Sequence, residues 1–307
     1  MRPVFQWNVG SRVIDLGKRT LIMGVLNVTP DSFSDGGRFS DPQRALEQAC
    51  KMLDDDADII DIGGESTRPG AHVLSRAEQK PEDARAVPRV NAGVTEQEEL
   101  DRVIPVIETV KRERPTALIS VDTYKAGVAR AAVVAGAEIV NDVSGLRWDA
   151  RIIKTLAPLK CGVVLMHMRG RPEEWRNLPA IGDPVLLVKR ELKQWAEDAV
   201  LGGIKRDRIV LDPGFGFGKK FDENYPLISR FEQLQALGFP LLVGTSRKSF
   251  IGRTLGRNGS DAAVNQRLFG SVATQTALII KGAHIVRTHD VREAVEAARV
   301  ADAIVNA

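Results

Sequence analysis

Gly136-Ala-Glu-Ile-Val-Asn141 is the stretch on which the fold turns. A glycine able to take the left-handed conformation closes a helix, an Ile-Val pair fills a wall, and a polar residue then emerges. The pattern recurs as Asp56-Ala-Asp-Ile-Ile-Asp61 and Gly282-Ala-His-Ile-Val-Arg287. Each reads as helix stop, strand, polar tip. Outward from these, short β-branched or Leu-rich runs fall near 21–26, 58–62, 117–121, 138–141, 162–166, 209–211, 241–243 and 284–287. Amphipathic or Ala-rich helical stretches alternate with them near 41–55, 96–113, 124–135, 149–157, 184–202, 223–237, 261–281 and 290–305. Each strand must then cross through a helix to reach a parallel neighbour, and eight such units in 307 residues suit a closed (β/α)8 TIM barrel of the α/β class. An open doubly wound sheet is the alternative. The chain, 1–307, reads as one domain with a surface insertion near 71–95, where Pro81 and Pro88 stand amid charged residues.

The 43 Lys and Arg nearly cancel the 40 Asp and Glu, leaving +3, so broad nucleic-acid or membrane binding is not expected and any anion site must be local. No apolar run reaches the roughly 18 residues that span a bilayer, and Met1 to Gly10 has no leader-like pattern, which points to an untargeted, cytoplasmic protein. Cys50 and Cys161 are far apart with no CxxC spacing and read as packing residues. The histidines, 72, 167, 284 and 289, lack paired ligand spacing, which argues against a zinc centre; His284 reads as part of a strand wall. A hard cation such as Mg2+, held by oxygen and a substrate diphosphate, fits this composition.

In a barrel of this class the chemistry is built at the carboxyl ends of the strands. The first strand ends in Asn27 and a Pro/Gly/Asp/Ser loop, the second in Asp61 followed by glycines, a hydroxyl and a guanidinium; both segments read either as functional loops or as flexible connectors. Asp122, Asn141 and Asp212 end the third, fourth and sixth strands. Carboxylates and an amide converging in a partly dry pocket suit a planar ring with adjacent N–H donors, and an acid/base dyad is the other reading. Asp212-Pro-Gly-Phe-Gly-Phe-Gly-Lys219 matches neither nucleotide motif; its glycines suggest backbone close beneath a flat ligand, with Phe215 and Phe217 available for stacking. The seventh and eighth strands open into Ser246, Arg247, Lys248, Arg287 and His289, donors suited to a multiply charged anion where barrels of this type bind phosphate.

Taken together, Gly24-Val-Leu-Asn-Val-Thr-Pro-Asp-Ser-Phe-Ser-Asp-Gly-Gly37, Gly63-Gly-Glu-Ser-Thr-Arg-Pro-Gly70, Val121-Asp-Thr123, Asn141-Asp142, Asp212 to Lys219, Ser246-Arg-Lys248 and Arg287-Thr-His289 resemble the dihydropteroate synthase family, in its order and along nearly the whole chain. The resemblance implies a transferase that condenses 6-hydroxymethyl-7,8-dihydropterin diphosphate with 4-aminobenzoate, releasing diphosphate, in folate synthesis; the family is the sulfonamide target and is commonly homodimeric. It implies that Asp122, Asn141, Asp212 and Lys248 surround the pterin, with Met166 and Phe217 lining the pocket. Asn27 would contact Mg2+ on the diphosphate, which Thr67, Arg68, Arg287 and His289 would also hold. Thr67, Pro69, Phe215 and Ser246 would frame the aminobenzoate. Asp122, Asp212, Lys248 and Arg287 would carry a displacement at the pterin methylene that develops positive charge, with no Ser, Cys or His nucleophile. Two features depart from the family pattern: the insertion near 71–95 is long, and Tyr124 stands where a small residue is usual. A folate-dependent methyltransferase of the same barrel class and a non-catalytic pterin-binding paralogue are the competing readings. The cationic residues at the last two strand ends argue against the first, and the intact first two loops against the second.

Overall fold

The computed structural model describes residues 2–29, 42–66 and 93–307. Eight parallel strands run in chain order around a barrel: β3 (Leu21–Asn27), β4 (Ile59–Gly63), β5 (Leu118–Asp122), β6 (Ile139–Asp142), β7 (Gly162–Met166), β8 (Ile209–Asp212), β9 (Leu242–Val243) and β10 (Ile285–Thr288). β10 pairs with β3, and a parallel bridge between Leu211 and Leu241 brings β8 against β9, so the sheet meets itself and the open-sheet alternative falls. Between the strands lie α1 (Pro42–Asp54), α2 (Glu96–Glu113), α3 (Ala126–Val134), α4 (Ile152–Leu159), α5 (Pro184–Leu201), α6 (Asn224–Ser229), α7 (Ser249–Leu255) and α8 (Leu268–Ile280), with α9 (Val291–Val305) after β10.

The three echoed segments are built alike. Asp56, Gly136 and Gly282 have φ of +67°, +117° and +102°. The next residue in each case, Ala57, Ala137 or Ala283, donates its N–H five residues back, to Met52, Ala132 or Leu278, at 2.9 to 3.0 Å. This is the Schellman closure of a helix, after which the chain drops directly into β4, β6 or β10. Other helix starts are equally local. Thr95 and Glu98 form a capping box on α2, so the expected insertion ends by Thr95, and Asp183 caps α5 ahead of Pro184.

Three departures from the sequence reading have physical causes. The helix expected over 223–237 breaks at Arg230 into α6 and a tighter 3-10 turn, Phe231–Leu237, which Gly238 closes at φ +69°. The helix expected over 261–281 begins at Leu268, and α7 precedes it directly after the Ser-Arg-Lys segment. An antiparallel hairpin, β1 (Phe5–Val9) and β2 (Arg12–Leu16), was not foreseen, although Gly10-Ser11 between two alternating runs signals one. The hairpin plugs the amino-terminal end of the barrel. Trp7, Val9 and Leu16 are fully buried against Leu21, Met23, Ile59, Leu118, Ile139, Val164, Val210, Leu242 and Ile285, a layer drawn from all eight barrel strands. His284 keeps its expected place in the wall, its carbonyl accepting from the Leu21 N–H and its N–H donating to the Leu241 carbonyl, both at 2.9 Å. Its side chain ties the wall to the segment before the hairpin, Nδ1 accepting from the Leu241 N–H, which leaves Nε2 to donate to the Pro3 carbonyl at 2.9 Å. Cys161 is buried and Cys50 half-buried, as packing residues.

Candidate active site

Register sets the first half of the site. Asn27 lies beside Gly63, Gly63 beside Asp122, and Asp122 beside Asn141, so β3 to β6 finish as one row of polar tips. A Cβ on Gly63 would stand 3.8 Å from both Asn27 Oδ1 and Asp122 Oδ2; glycine keeps the space between these oxygens open.

Beneath the row lies Asp61, fully buried on β4. Its Oδ2 accepts from Asn141 Nδ2 at 3.0 Å and from Arg287 Nε at 2.6 Å, while Arg287 Nη2 donates to Asp122 Oδ2 at 2.7 Å. Two carboxylates thus grip one guanidinium. Burial pushes Asp122 up to about 7, with Arg287 pulling the other way, and the paired carboxylates more than offset burial to hold Arg287 charged. The sequence marks Asp61 only as a strand tip; its part in orienting Arg287 depends on a contact across 226 residues, and that in orienting Asn141 on one across 80, which no local pattern contains.

The second half comes from β7, β8 and the loops after β8 and β9. Met166 packs with Val143, Met168, Trp148 and Phe217 as an apolar wall. Asp212 is buried, which pushes it up to about 6, opposed by the Gly214 N–H at 2.7 Å and by Lys248, Lys219 and Arg287. Lys248 holds its ammonium 3.9 Å from the centre of the Phe217 ring. Burial and Arg287 push that ammonium down to about 7, while Asp212 and Asp122 draw it up. These cross-influences put Asp122, Asp212, Lys248 and Arg287 in one electrostatic environment.

Other expectations are corrected. Phe215 is buried in the main core near Phe250, with ring centroids 6.5 Å apart, and presents no face to a ligand. Gly216, at φ +81°, breaks the two-residue alternation, so Phe215 and Phe217 part ways. Arg247 is turned out of the anion group: its guanidinium pairs with Asp290 and lines a separate cavity of about 410 Å³ with Val264, Asn265 and Leu268. Ser246 and His289 are found together, Oγ and Nδ1 being 3.1 Å apart, with the His289 N–H also donating to Oγ. Burial, Arg287, Arg247 and Lys248 push His289 down to about 3, so it is a neutral donor or acceptor rather than a cation. Tyr124 is buried edge-on to Trp148, with ring centroids 5.0 Å apart, and so lies behind the apolar wall. Next to it lies a group the sequence did not suggest, a buried Lys125 ammonium shared by Glu65 and Glu99. Thr67, Arg68, Pro69, the first loop from Pro30 to Gly37 and most of the insertion lie outside the described residues. No cluster of three or more His, Cys, Asp or Glu suited to a metal occurs among the described residues.

A parallel barrel whose strand tips gather carboxylates and an amide beside a half-buried lysine and arginine is the architecture of a barrel enzyme with its site at the carboxyl ends of the strands. The family described as pterin binding enzyme matches residues 23–93 and 83–289. The dihydropteroate synthase of Synechocystis sp. is 42% identical, over 96% of this chain and 94% of its own length. The structure of Xanthomonas albilineans dihydropteroate synthase with 4-aminobenzoic acid matches with a TM-score of 0.84 and 39% identity over 98% of both chains. The same enzyme in complex with 7,8-dihydropteroate matches at 0.78 and 37%, over 97% and 98%. The chain belongs to the dihydropteroate synthase family, transferases of folate synthesis.

Proposed function

We propose that the site condenses 6-hydroxymethyl-7,8-dihydropterin diphosphate with 4-aminobenzoate to give 7,8-dihydropteroate and diphosphate. The observation that carries this is the meeting of Asp122, Asn141 and Asp212 with Lys248 and Arg287 at one end of the barrel. Each carboxylate can accept from adjacent N–H groups of the ring, and the Asn141 amide can give and take, which fixes the ring in its plane. Met166 and Phe217 supply the apolar wall behind it.

The bond from the pterin methylene to the diphosphate oxygen breaks, and its electron pair leaves with the diphosphate. The amine nitrogen of 4-aminobenzoate supplies the pair for the new carbon–nitrogen bond and then loses a proton. Positive charge develops on the ring side and negative charge on the leaving side. Asp122 and Asp212 face the first, Lys248 and Arg287 the second. Preorganised groups of this kind contribute about 3–4 kcal/mol each when judged by removal. Mg2+, when bound, would neutralise charge on the departing diphosphate. Asn27 Oδ1, an uncharged hard donor beside an open space at Gly63, fits that ion, which needs few protein ligands when a diphosphate supplies the rest. Thr67, Arg68 and His289 complete the anion side in this reading, and Thr67, Pro69 and Ser246 the aminobenzoate side.

The test is diphosphate release by purified protein with both substrates, with Mg2+ and then with chelator. Mg2+-dependent release is expected. Absence of release above background would favour a non-catalytic pterin-binding relative.

A further inference from the structure

The chemistry above does not use the buried Lys219 ammonium. Lys219 closes the glycine-rich loop after β8, and its ammonium donates to the carbonyls of Gly214 at 2.8 Å, His167 at 3.3 Å and Phe217 at 3.3 Å. An ammonium has three donors, so all are spent on backbone, across the loops that follow β7 and β8. No carboxylate among the described residues bonds it. The loop is shaped for this cage: Gly214, Gly216 and Gly218 have φ of +65°, +81° and +65°. A Cβ on Gly214 would fall 1.8 Å from the His167 carbonyl oxygen, and one on Gly218 2.5 Å from that of Arg169, so the two loops touch backbone to backbone.

The same few residues present the ring site. Asp212 takes the Gly214 N–H, and Phe217, whose carbonyl Lys219 holds, lies under the Lys248 ammonium. Charged neighbours reach Lys219 from every side: Asp212 on β8 and Glu191 on α5 favour its charge, Lys248 and Arg169 oppose it, and burial is the largest opposing cause. His167 is kept neutral by burial and by Lys219, with Glu191 3.0 Å from its Nε2.

We propose that Lys219 is a positioning residue of the transfer reaction: its caged ammonium ties the loops after β7 and β8 together and thereby sets Asp212 and Phe217 against the pterin ring. The inference rests on the pterin reading of the site. The alternative is a role in stability alone.

Lys219→Met keeps the chain length and removes charge and donors; Lys219→Gln, which retains one amide donor, is the second variant should the first not fold. Calorimetry with 6-hydroxymethylpterin reads affinity without turnover, and kinetics read the two KM values and the pH profile. Expected is roughly tenfold weaker pterin binding, a KM for 4-aminobenzoate within about twofold of the unmodified protein, and an acidic limb of kcat/KM moved to higher pH. That direction follows because Asp212 loses a nearby cation and keeps only Lys248, Arg287 and the Gly214 N–H. A lower melting temperature with pterin affinity and pH limb unchanged would overturn the proposal, as would an equal rise in both KM values. Unmodified protein that binds no pterin would instead defeat the reading of the site itself.

Discussion

Loss of water around the Lys248 ammonium, and after it the nearby Arg287 guanidinium, push that group down to about 7. A lysine of that kind is charged below this pH and neutral above it. The alkaline limb of kcat/KM, which reports the free enzyme, therefore falls as pH rises through about 7, whereas the limb of kcat lies higher because bound diphosphate favours the ammonium. Lys248→Met should abolish the alkaline limb and lower kcat/KM roughly 10²-fold; a limb that survives would assign it to another group. Arg287 is held by Nε and Nη2 at once, a grip that a point charge cannot reproduce. Arg287→Lys is expected to lose about as much as Arg287→Ala in kcat/KM, on the order of 10²-fold. Near-normal kinetics for Arg287→Lys would show that the fork is not needed.

At the level of elements, the three Schellman closures make an internal comparison. Two use glycine and the third places Asp56 at φ +67°, where a side chain is strained by roughly 1 kcal/mol. Asp56→Gly should raise stability by up to about 1 kcal/mol, since the exposed pair it forms with Arg299 is of small worth. Gly136→Ala should lower it by about 1–2 kcal/mol, because alanine resists φ +117°. Denaturant midpoints decide both, and a shift of the same sign in the two variants would refute the explanation. The hairpin offers a second case. Trp7 is fully buried at the barrel floor, with its Nε1–H donating to the Arg208 carbonyl at 2.9 Å, and Val13 in the same hairpin is exposed. Trp7→Ala should cost about 3–5 kcal/mol and Val13→Ala close to nothing, measured as loss of melting temperature.

For the molecule as a whole, the last two helices, which pack together, carry exposed apolar side chains: Phe269 on α8 is 86% exposed, and Val300 and Ile304 on α9 are 62% and 57% exposed. A homodimer through these helices is expected, and sedimentation should give twice the chain mass, with Phe269→Glu shifting the protein toward monomer. A monomer at micromolar concentration would place these residues elsewhere in function. The sequence by itself determined the eightfold alternation, the helix-closing echoes and the strand tips Asp122, Asn141 and Asp212, because hydrophobic period and left-handed turns are local properties written into short stretches. It also carried the resemblance, which rests on residue types in order. Closure of the sheet through Leu211 and Leu241, the hairpin plug, the grip of Asp61 on Asn141 and Arg287, the turning of Phe215 inward and Arg247 outward, and the carbonyl cage of Lys219 were decided only in three dimensions. Each depends on burial and on partners brought together from distant parts of the chain, and the direction of a side chain, or the state of its proton, follows from that surrounding rather than from its own neighbours in sequence.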